Sequence, residues 1–295
     1  MKPASFAYHA PESVADAVAV LTEFGDEAKL LAGGQSLVPI MALRLARFDH
    51  LVDLNRVGEL QGIERSNGTV RIGAMTRQAE VERDATVAGD VPLLARATPL
   101  IGHFQIRNRG TLGGSLAHAD PAAEYPAVAL ALDADFEVAN AGGARRVPAS
   151  EFFVSTFMTA LEADDVLTAI HFPVWGGRSG FAVEEVARRF GDFALTGAVC
   201  GVKLDGDRVT RAAIAMFGMG STPLRANDAE AALTGTAVGD VDPDEVGRVA
   251  AAASDPPADI HASAAYRRSV GAVVVARALR RAVEECRGIE EASGG

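Results

Sequence analysis

The sequence predicts an α+β fold, and three observations predict it. A helix-periodic stretch, 13–24, is followed by a short strand, a glycine-rich turn, a second helical stretch and another strand, so the N-terminal part reads as α/β. In the last third, Thr196–Leu204 and Val209–Phe217 flank Asp205-Gly206-Asp207-Arg208, a hairpin signal. Helical periodicity then dominates to the C-terminal end, over about 226–234, 243–253 and 263–286. A chain of 295 residues holds two domains or three small ones. The expected divisions are 1–57, 58–175 and 178–287, the last a small α+β domain with a helical end.

The elements follow in order. Val14, Ala17, Val18 and Leu21 fall at helical spacing; Ser13 with Asp16 resembles a capping box, and Gly25 is a stop. Lys29–Ala32 reads as a strand that delivers the chain into Ala32-Gly33-Gly34-Gln35-Ser36. Leu37–Ala46 reads as a helix with Pro39 in its first turn, and His50–Asp53 as a strand. This order places the Gly33 and Gly34 amides at a helix N-terminus, which favours anions. Val70–Ala74 reads as a strand, and Arg77–Asp84 and Pro92–Pro99 as helices. His103–Gly110 is polar and irregular and leads into a second glycine loop, Thr111-Leu112-Gly113-Gly114-Ser115. Glu124–Leu132 reads as a helix, Phe136–Ala139 and Val166–Phe172 as strands. Pro173–Gly180, with three glycines and a proline, is a candidate boundary. Gly288–Gly295 is expected to fray.

Composition narrows the function classes. With 48% hydrophobic residues the chain can bury a sizeable core. A net charge of −11 argues against a nucleic-acid binder, which usually shows a basic face, and fits a soluble cytosolic protein. Two isolated cysteines, Cys200 and Cys286, cannot hold an iron–sulfur cluster, and the histidines show no H-x-x-x-H pair, so no metal site is expected. Met1–Phe6 lacks the apolar core of a signal peptide, and no 18-residue apolar run is long enough to span a membrane. No acid–base pair, serine triad or cysteine nucleophile emerges.

The two glycine loops carry the chemistry. Glycine lets backbone N–H groups reach conformations and distances that a Cβ forbids, and successive N–H groups form a concavity for an anion such as a pyrophosphate. Serine and threonine hydroxyls add donors. Neither loop matches G-x-G-x-x-G or the P-loop. From residues alone each pair is an anion-binding turn or simply a turn.

Ala32-Gly33-Gly34-Gln35-Ser36-Leu37-Val38-Pro39 and Thr111-Leu112-Gly113-Gly114-Ser115 together resemble the two FAD loops of the medium subunit of molybdenum hydroxylases, the family of carbon monoxide, xanthine and nicotine dehydrogenases. The resemblance covers nearly the whole chain. It implies a PCMH-type (vanillyl-alcohol-oxidase-like) FAD-binding fold, with 1–57 and 58–175 as its two subdomains, and 178–287 as a C-terminal domain of the CO-dehydrogenase flavoprotein type. It implies one noncovalent FAD, gripped by Ala32, Gly33, Gly34, Gln35, Ser36 and Leu37 on one side and Thr111, Gly113, Gly114 and Ser115 on the other. It places Glu124 against the ribityl or adenosine portion, and Ile101 and Leu167 against the flavin or adenine. Read without it, Gln35 is a solvated loop residue, Glu124 a helix N-terminal acid, and Ile101 and Leu167 plain core residues. Arg107 and Arg109 suit either phosphates or the surface; Asp120-Pro121 fixes a turn, and His118 is a loop histidine beside the site.

The partners it implies are a large subunit with a molybdopterin cofactor and a small subunit with [2Fe–2S] clusters, in a cytoplasmic dimer of heterotrimers, a heterohexamer. Electrons reach FAD from the clusters and leave to an external acceptor. Two positions depart from the family: Glu185 stands where relatives carry Lys near the flavin ring, and Phe193 where some carry Tyr. Charge near the ring tunes its electronics. Two rivals remain on the residues: a stand-alone flavin oxidase of this fold, and a flavin-free assembly module.

Overall fold

The structure, a computed structural model, describes residues 2–288. Of the stretch expected to fray, all but Gly288 lies outside the described residues. The chain begins with β1 (Ala7–His9), α1 (Val14–Phe24), β2 (Ala28–Leu31), α2 (Leu37–Ala42) and β3 (His50–Asp53). The strands form a parallel sheet in the order β1-β3-β2. Ser13 caps α1 by accepting from the Asp16 amide at 3.0 Å, and Gly25 ends it at φ 49°. Ala17, Val18 and Leu21 bury their shared face against Val52, Leu54 and Leu60. Helix α2 is four residues shorter than its pattern. The chain turns at Arg44, φ 59°, where the Leu45 amide reaches back to the Ile40 carbonyl at 3.0 Å.

The middle region starts with β4 (Ile63–Ser66) and β5 (Thr69–Gly73). Helices α3 (Gln78–Arg83), α4 (Ala85–Asp90), α5 (Pro92–Ala97), α6 (Phe104–Arg107), α7 (Leu112–His118) and α8 (Glu124–Ala131) follow. Then come β6 (Asp135–Asn140), β7 (Gly143–Pro148), α9 (Ala149–Phe152), β8 (Phe153–Ser155), β9 (Met158–Thr159) and β10 (Val166–Pro173). The main sheet is antiparallel, β4-β5-β10-β6-β7. Its central strand β10 is buried along seven of eight residues, as a strand covered on both faces must be. Every residue of α8 is buried, which is why its sequence shows no polar face.

The last region holds β11 (Arg178–Ala187), β12 (Ala194–Asp205), β13 (Arg208–Phe217), β14 (Leu224–Arg225), α10 (Asn227–Leu233), α11 (Pro243–Ala252) and α12 (Ala264–Cys286). The strands run as a meander, β11-β12-β13-β14. The expected hairpin forms, with Asp205 paired to Arg208 and Gly206 at φ 59°. The glycine-rich stretch 173–180 is a connector only in part, because β11 already begins at Arg178. A Cβ on Gly180 would lie 2.1 Å from the Ala282 carbonyl, so this glycine lets α12 lie close against β11.

Strand β11 separates two cores. Phe181 and Val183 pack into the core of the middle region; Ala182 and Val186 pack under α12. Alternation puts Glu185 on the side of Phe181 and Val183. Arg96 joins the regions by a bidentate pair with Glu285, at 2.6 and 2.7 Å, and Glu285 also accepts from the Phe181 amide. Among the described residues no helix is long and apolar enough to cross a membrane.

Candidate functional site

The first glycine segment owes its place to parallel pairing. Strands β2 and β3 run the same way, so their C-terminal ends share one edge. There Asn55 Nδ2 donates to the Ala32 carbonyl at 3.1 Å, while the Asn55 amide donates to Asp53 Oδ1 at 2.9 Å. Beyond Ala32 the chain reverses at Gly34, φ 74°, a left-handed conformation suited to glycine. Among the described residues, none of the five amides from Gly33 to Leu37 donates to an internal acceptor. Bonding resumes at Val38, whose amide reaches the Gly34 carbonyl at 3.1 Å. Gln35 is bound locally, its Nε2 donating to the Gly33 carbonyl at 3.1 Å, and is half-buried rather than freely solvated. The Ser36 hydroxyl makes no hydrogen bond to another described residue.

The second segment differs from its expected form. It is the first turn of α7, with Thr111 as N-cap. Its amides are already committed: Leu112 to Thr76 O at 3.0 Å, Gly113 to Ala74 O at 2.8 Å, Gly114 to Thr111 Oγ1 at 3.0 Å, and Ser115 to Thr111 O at 3.2 Å. The reading of these amides as a second open cradle is therefore corrected. A Cβ on Gly113 would sit 2.5 Å from Ala74 Cβ; one on Gly114 would sit 2.6 Å from Thr111 Oγ1 and 3.2 Å from Ala32 Cβ. These glycines serve the close packing of the protein on itself. What α7 leaves available is the half-buried Ser115 side chain.

The two segments touch. A Cβ on Gly33 would lie 2.3 Å from the Arg109 carbonyl and 2.8 Å from Gly110 Cα. Arg77 ties them further: its guanidinium donates to Asn55 Oδ1 and to the Arg109 carbonyl, while the Gln78 amide holds Gly110 O at 2.9 Å. Burial, then the nearby Arg109 charge, pull the Arg77 pKa below its ordinary value. Sequence reasoning missed Arg77 and Asn55, because their partners lie 22 and 32 residues away and share no motif with them.

Arg107 is a structural residue. Its buried guanidinium pairs with Glu82 at 2.8 and 3.1 Å and donates to the Pro99, Ile101 and Gly102 carbonyls, so it is not free to steady a phosphate. Arg109 is exposed. Leu167 is buried in the middle core and Ile101 packs against it. His118 lies against Phe157 with ring centroids 4.9 Å apart, and burial holds its imidazole below the ordinary pKa.

Glu124 opens α8 and is only 7% exposed, with no hydrogen bond or ion pair to another described side chain. Burial, with the Glu185 charge next, pushes its pKa to about 8. Burial raises Glu185 to about 7, and Glu185 Oε2 is buried without a partner among the described residues. A cleft of about 1090 Å³ is lined by neither glycine segment and by neither of these carboxyls. Asp120–Ala122 form one wall, and the exposed Phe193 stands in another. The strand connection carrying Phe193 leans on the second segment's approach: a Cβ on Gly191 would meet the His103 ring at 2.5 Å.

These residues fit a dinucleotide: a run of uncommitted amides for a diphosphate, loose serine hydroxyls beside it, and a buried, unpartnered carboxyl further along. Family models agree. The FAD binding domain in molybdopterin dehydrogenase matches residues 4–175, and the CO dehydrogenase flavoprotein C-terminal domain matches residues 181–282. The chain belongs to the FAD-binding medium subunits of the molybdenum hydroxylases. It is 40% identical to the carbon monoxide dehydrogenase medium chain of Hydrogenophaga pseudoflava, over 97% of this chain and all of the relative. It is 41% identical to the 6-hydroxypseudooxynicotine dehydrogenase complex subunit alpha of Paenarthrobacter nicotinovorans, over 99% of both. A solved carbon monoxide dehydrogenase of H. pseudoflava, lacking the Mo-pyranopterin moiety of its molybdenum cofactor, superposes with a TM-score of 0.93 at 42% identity, covering 97% of this chain and all of that one. The α+β architecture expected from the resemblance, a PCMH-type FAD-binding part with a small C-terminal α+β domain, is thus the family's, and the chain is a flavoprotein subunit of a multi-subunit oxidoreductase.

Proposed function

We propose that this subunit holds one noncovalent FAD across the two glycine segments, takes electrons from [2Fe–2S] clusters on a small partner subunit and passes them to an external acceptor. The observation that carries this reading is the run of five uncommitted amides, Gly33–Leu37, braced from behind by Arg109, Gly110 and Arg77. Flavin supplies redox chemistry of its own, so the chain needs no protein nucleophile.

In this reading Ala32, Gly33, Gly34, Gln35, Ser36 and Leu37 surround the diphosphate. The amides donate, the Ser36 hydroxyl adds a donor, and Gln35 holds the turn through the Gly33 carbonyl. On the other side Thr111 fixes α7, and Gly113 and Gly114 let it approach Ala74 and Ala32, so that Ser115 can donate from its first turn. Glu124 meets the uncharged part of the cofactor. Ile101 and Leu167 supply apolar backing from the middle core. The working units are 1–57 and 58–175 for FAD and 178–287 as the C-terminal domain.

A large subunit with a molybdopterin cofactor would oxidise the substrate. The two relatives above are named for carbon monoxide and for 6-hydroxypseudooxynicotine, yet are 40% and 41% identical to this chain. Substrate choice is therefore assigned to the partner. The proposed assembly is a cytoplasmic dimer of heterotrimers. Isolation of the native complex, followed by acid release, tests the whole reading. It should yield about one FAD per copy of this chain, together with a molybdenum subunit and an iron–sulfur subunit. A complex free of flavin that also refuses added FAD would overturn it.

A further inference from the structure

Asn55 stands two residues beyond β3, in a short turn that Asp53 caps by accepting from the Asn55 amide at 2.9 Å. Its half-buried side chain lies among three groups. Nδ2 donates to Asp53 Oδ1 and, at 3.1 Å, to the Ala32 carbonyl, while Oδ1 accepts from Arg77 Nη2. Chemistry fixes the orientation of this amide from both sides. A guanidinium carries donors only and a carboxylate offers acceptors only, so oxygen must face Arg77 and nitrogen must face Asp53. That nitrogen then also meets Ala32. Arg77 is held in turn by its bond to the Arg109 carbonyl, at the contact between the two glycine segments. Asp53 is steadied by Tyr8, whose hydroxyl donates to Oδ2 at 2.6 Å.

Pinning the Ala32 carbonyl also aims the next amide. The Ala32–Gly33 peptide is trans, and a trans peptide points its C=O and N–H in opposite directions. With its oxygen drawn toward Asn55, the peptide turns the Gly33 N–H to the far side, where no described group accepts it. Gln35 does the same one peptide later: its Nε2 holds the Gly33 carbonyl at 3.1 Å, which aims the Gly34 N–H. Both carbonyls, which can only accept, are thereby kept away from an anion on the amide side. We propose that Asn55 and Arg77 are positioning residues for the diphosphate of FAD. Asn55 aims the first amide of the run, and Arg77 acts through Asn55 by fixing which end of its side-chain amide meets the backbone. The inference rests on the FAD reading given above.

Two measurements on the full chain test this. In the FAD-free protein, glycine-selective amide NMR spectra should show the Gly33 signal displaced in Asn55→Ala and in Arg77→Gln, with Gly206 of the β12–β13 hairpin unmoved. Glutamine accepts as well as donates, so at position 77 it no longer dictates how Asn55 lies. A Gly33 signal that stays in place in both variants overturns the proposal whatever FAD does. FAD titration followed by flavin fluorescence should then show affinity about thirtyfold lower in Asn55→Ala and about tenfold lower in Arg77→Gln. The double variant should also be about thirtyfold lower, rather than about three-hundredfold, because Arg77 works through Asn55. Losses that multiply overturn the proposal. The Arg77→Gln loss should be the same in dilute and in concentrated salt; a loss that salt abolishes would be an effect of charge and would also overturn it. Asn55→Asp keeps an acceptor for Arg77 and lacks the donor for Ala32, so it should weaken FAD at least as far as Asn55→Ala, and retained affinity counts against the proposal. If the Gly33 signal moves while no protein, the unaltered chain included, binds FAD, the FAD reading fails and the aiming of the amide stands.

Discussion

Gly33-Gly34 and Gly113-Gly114 share a dipeptide, nearby hydroxyl residues and an adjoining helix, yet their amides have different fates. The first pair turns through a left-handed glycine and leaves five successive amides without an internal acceptor among the described residues. The second pair opens α7, and its amides are consumed by Thr76, Ala74 and Thr111. One segment is a cradle; the other is the wall that fixes it. A glycine pair in a sequence marks a close approach, and only the partner of that approach says whether it serves a ligand or the fold. At Gly33 both apply, because its α-carbon faces the Arg109 carbonyl while its amide stays uncommitted.

The largest effect should come from Gly33→Val. Its Cβ would lie 2.3 Å from a backbone carbonyl that cannot rotate away, so the two segments must part. FAD affinity is expected to fall at least a hundredfold in fluorescence titration, with about 3 kcal/mol lost in urea unfolding. Retained affinity would show that the segments need not touch. Gly113→Ala and Gly34→Ala then separate fold from ligand. Gly113→Ala drives a methyl onto Ala74 and should cost about 2 kcal/mol of stability, with FAD lost only as far as the fold is. Gly34→Ala strains a left-handed position at about 1 kcal/mol and should weaken FAD about tenfold by turning the amides away. The reverse ranking would exchange the roles of the two segments.

The smallest effect is expected from Thr111→Val, which removes the cap and frees the Gly114 amide, at about 1 kcal/mol. FAD binding should weaken slightly or hold. Tighter binding would mean that the second segment's amides are ligand donors once released. Stability carries a related pH signature. The carboxyls of Glu124 and Glu185 are raised in the folded state, to about 8 and about 7, so their contribution is present in acid and declines as pH rises toward those values. The thermal midpoint of the FAD-free chain should fall between pH 5.5 and pH 8.5, and Glu124→Gln should flatten that fall.

Much of the framework was legible. The strand His50–Asp53 and the helix behind Gly25 stand as their patterns say, and α11 and α12 differ from the expected spans by a residue or less at most ends. Periodicity and capping are local, and local sequence reports them. The misses have physical reasons. Strand β11 was hidden because its two faces feed different cores, leaving an apolar run with glutamates in it and no clean alternation. Helix α7 was hidden because its glycines, poor helix formers, are required by Ala74 and Thr111. Arg107 suits either phosphates or the surface by sequence, and packing gives it neither, committing it to Glu82 and three carbonyls.

By itself the sequence determined the α+β class and the two glycine segments, and its resemblance to known relatives pointed to the family and the FAD-binding medium-subunit role. The first two depend on residue types at short spacing. Tertiary structure alone decided which glycine amides stay free, which arginines are committed, and that Glu124 and Glu185 are buried without a cation. Those depend on which donors and charges long-range packing brings together and which it shuts away from water, and local spacing carries no record of that packing.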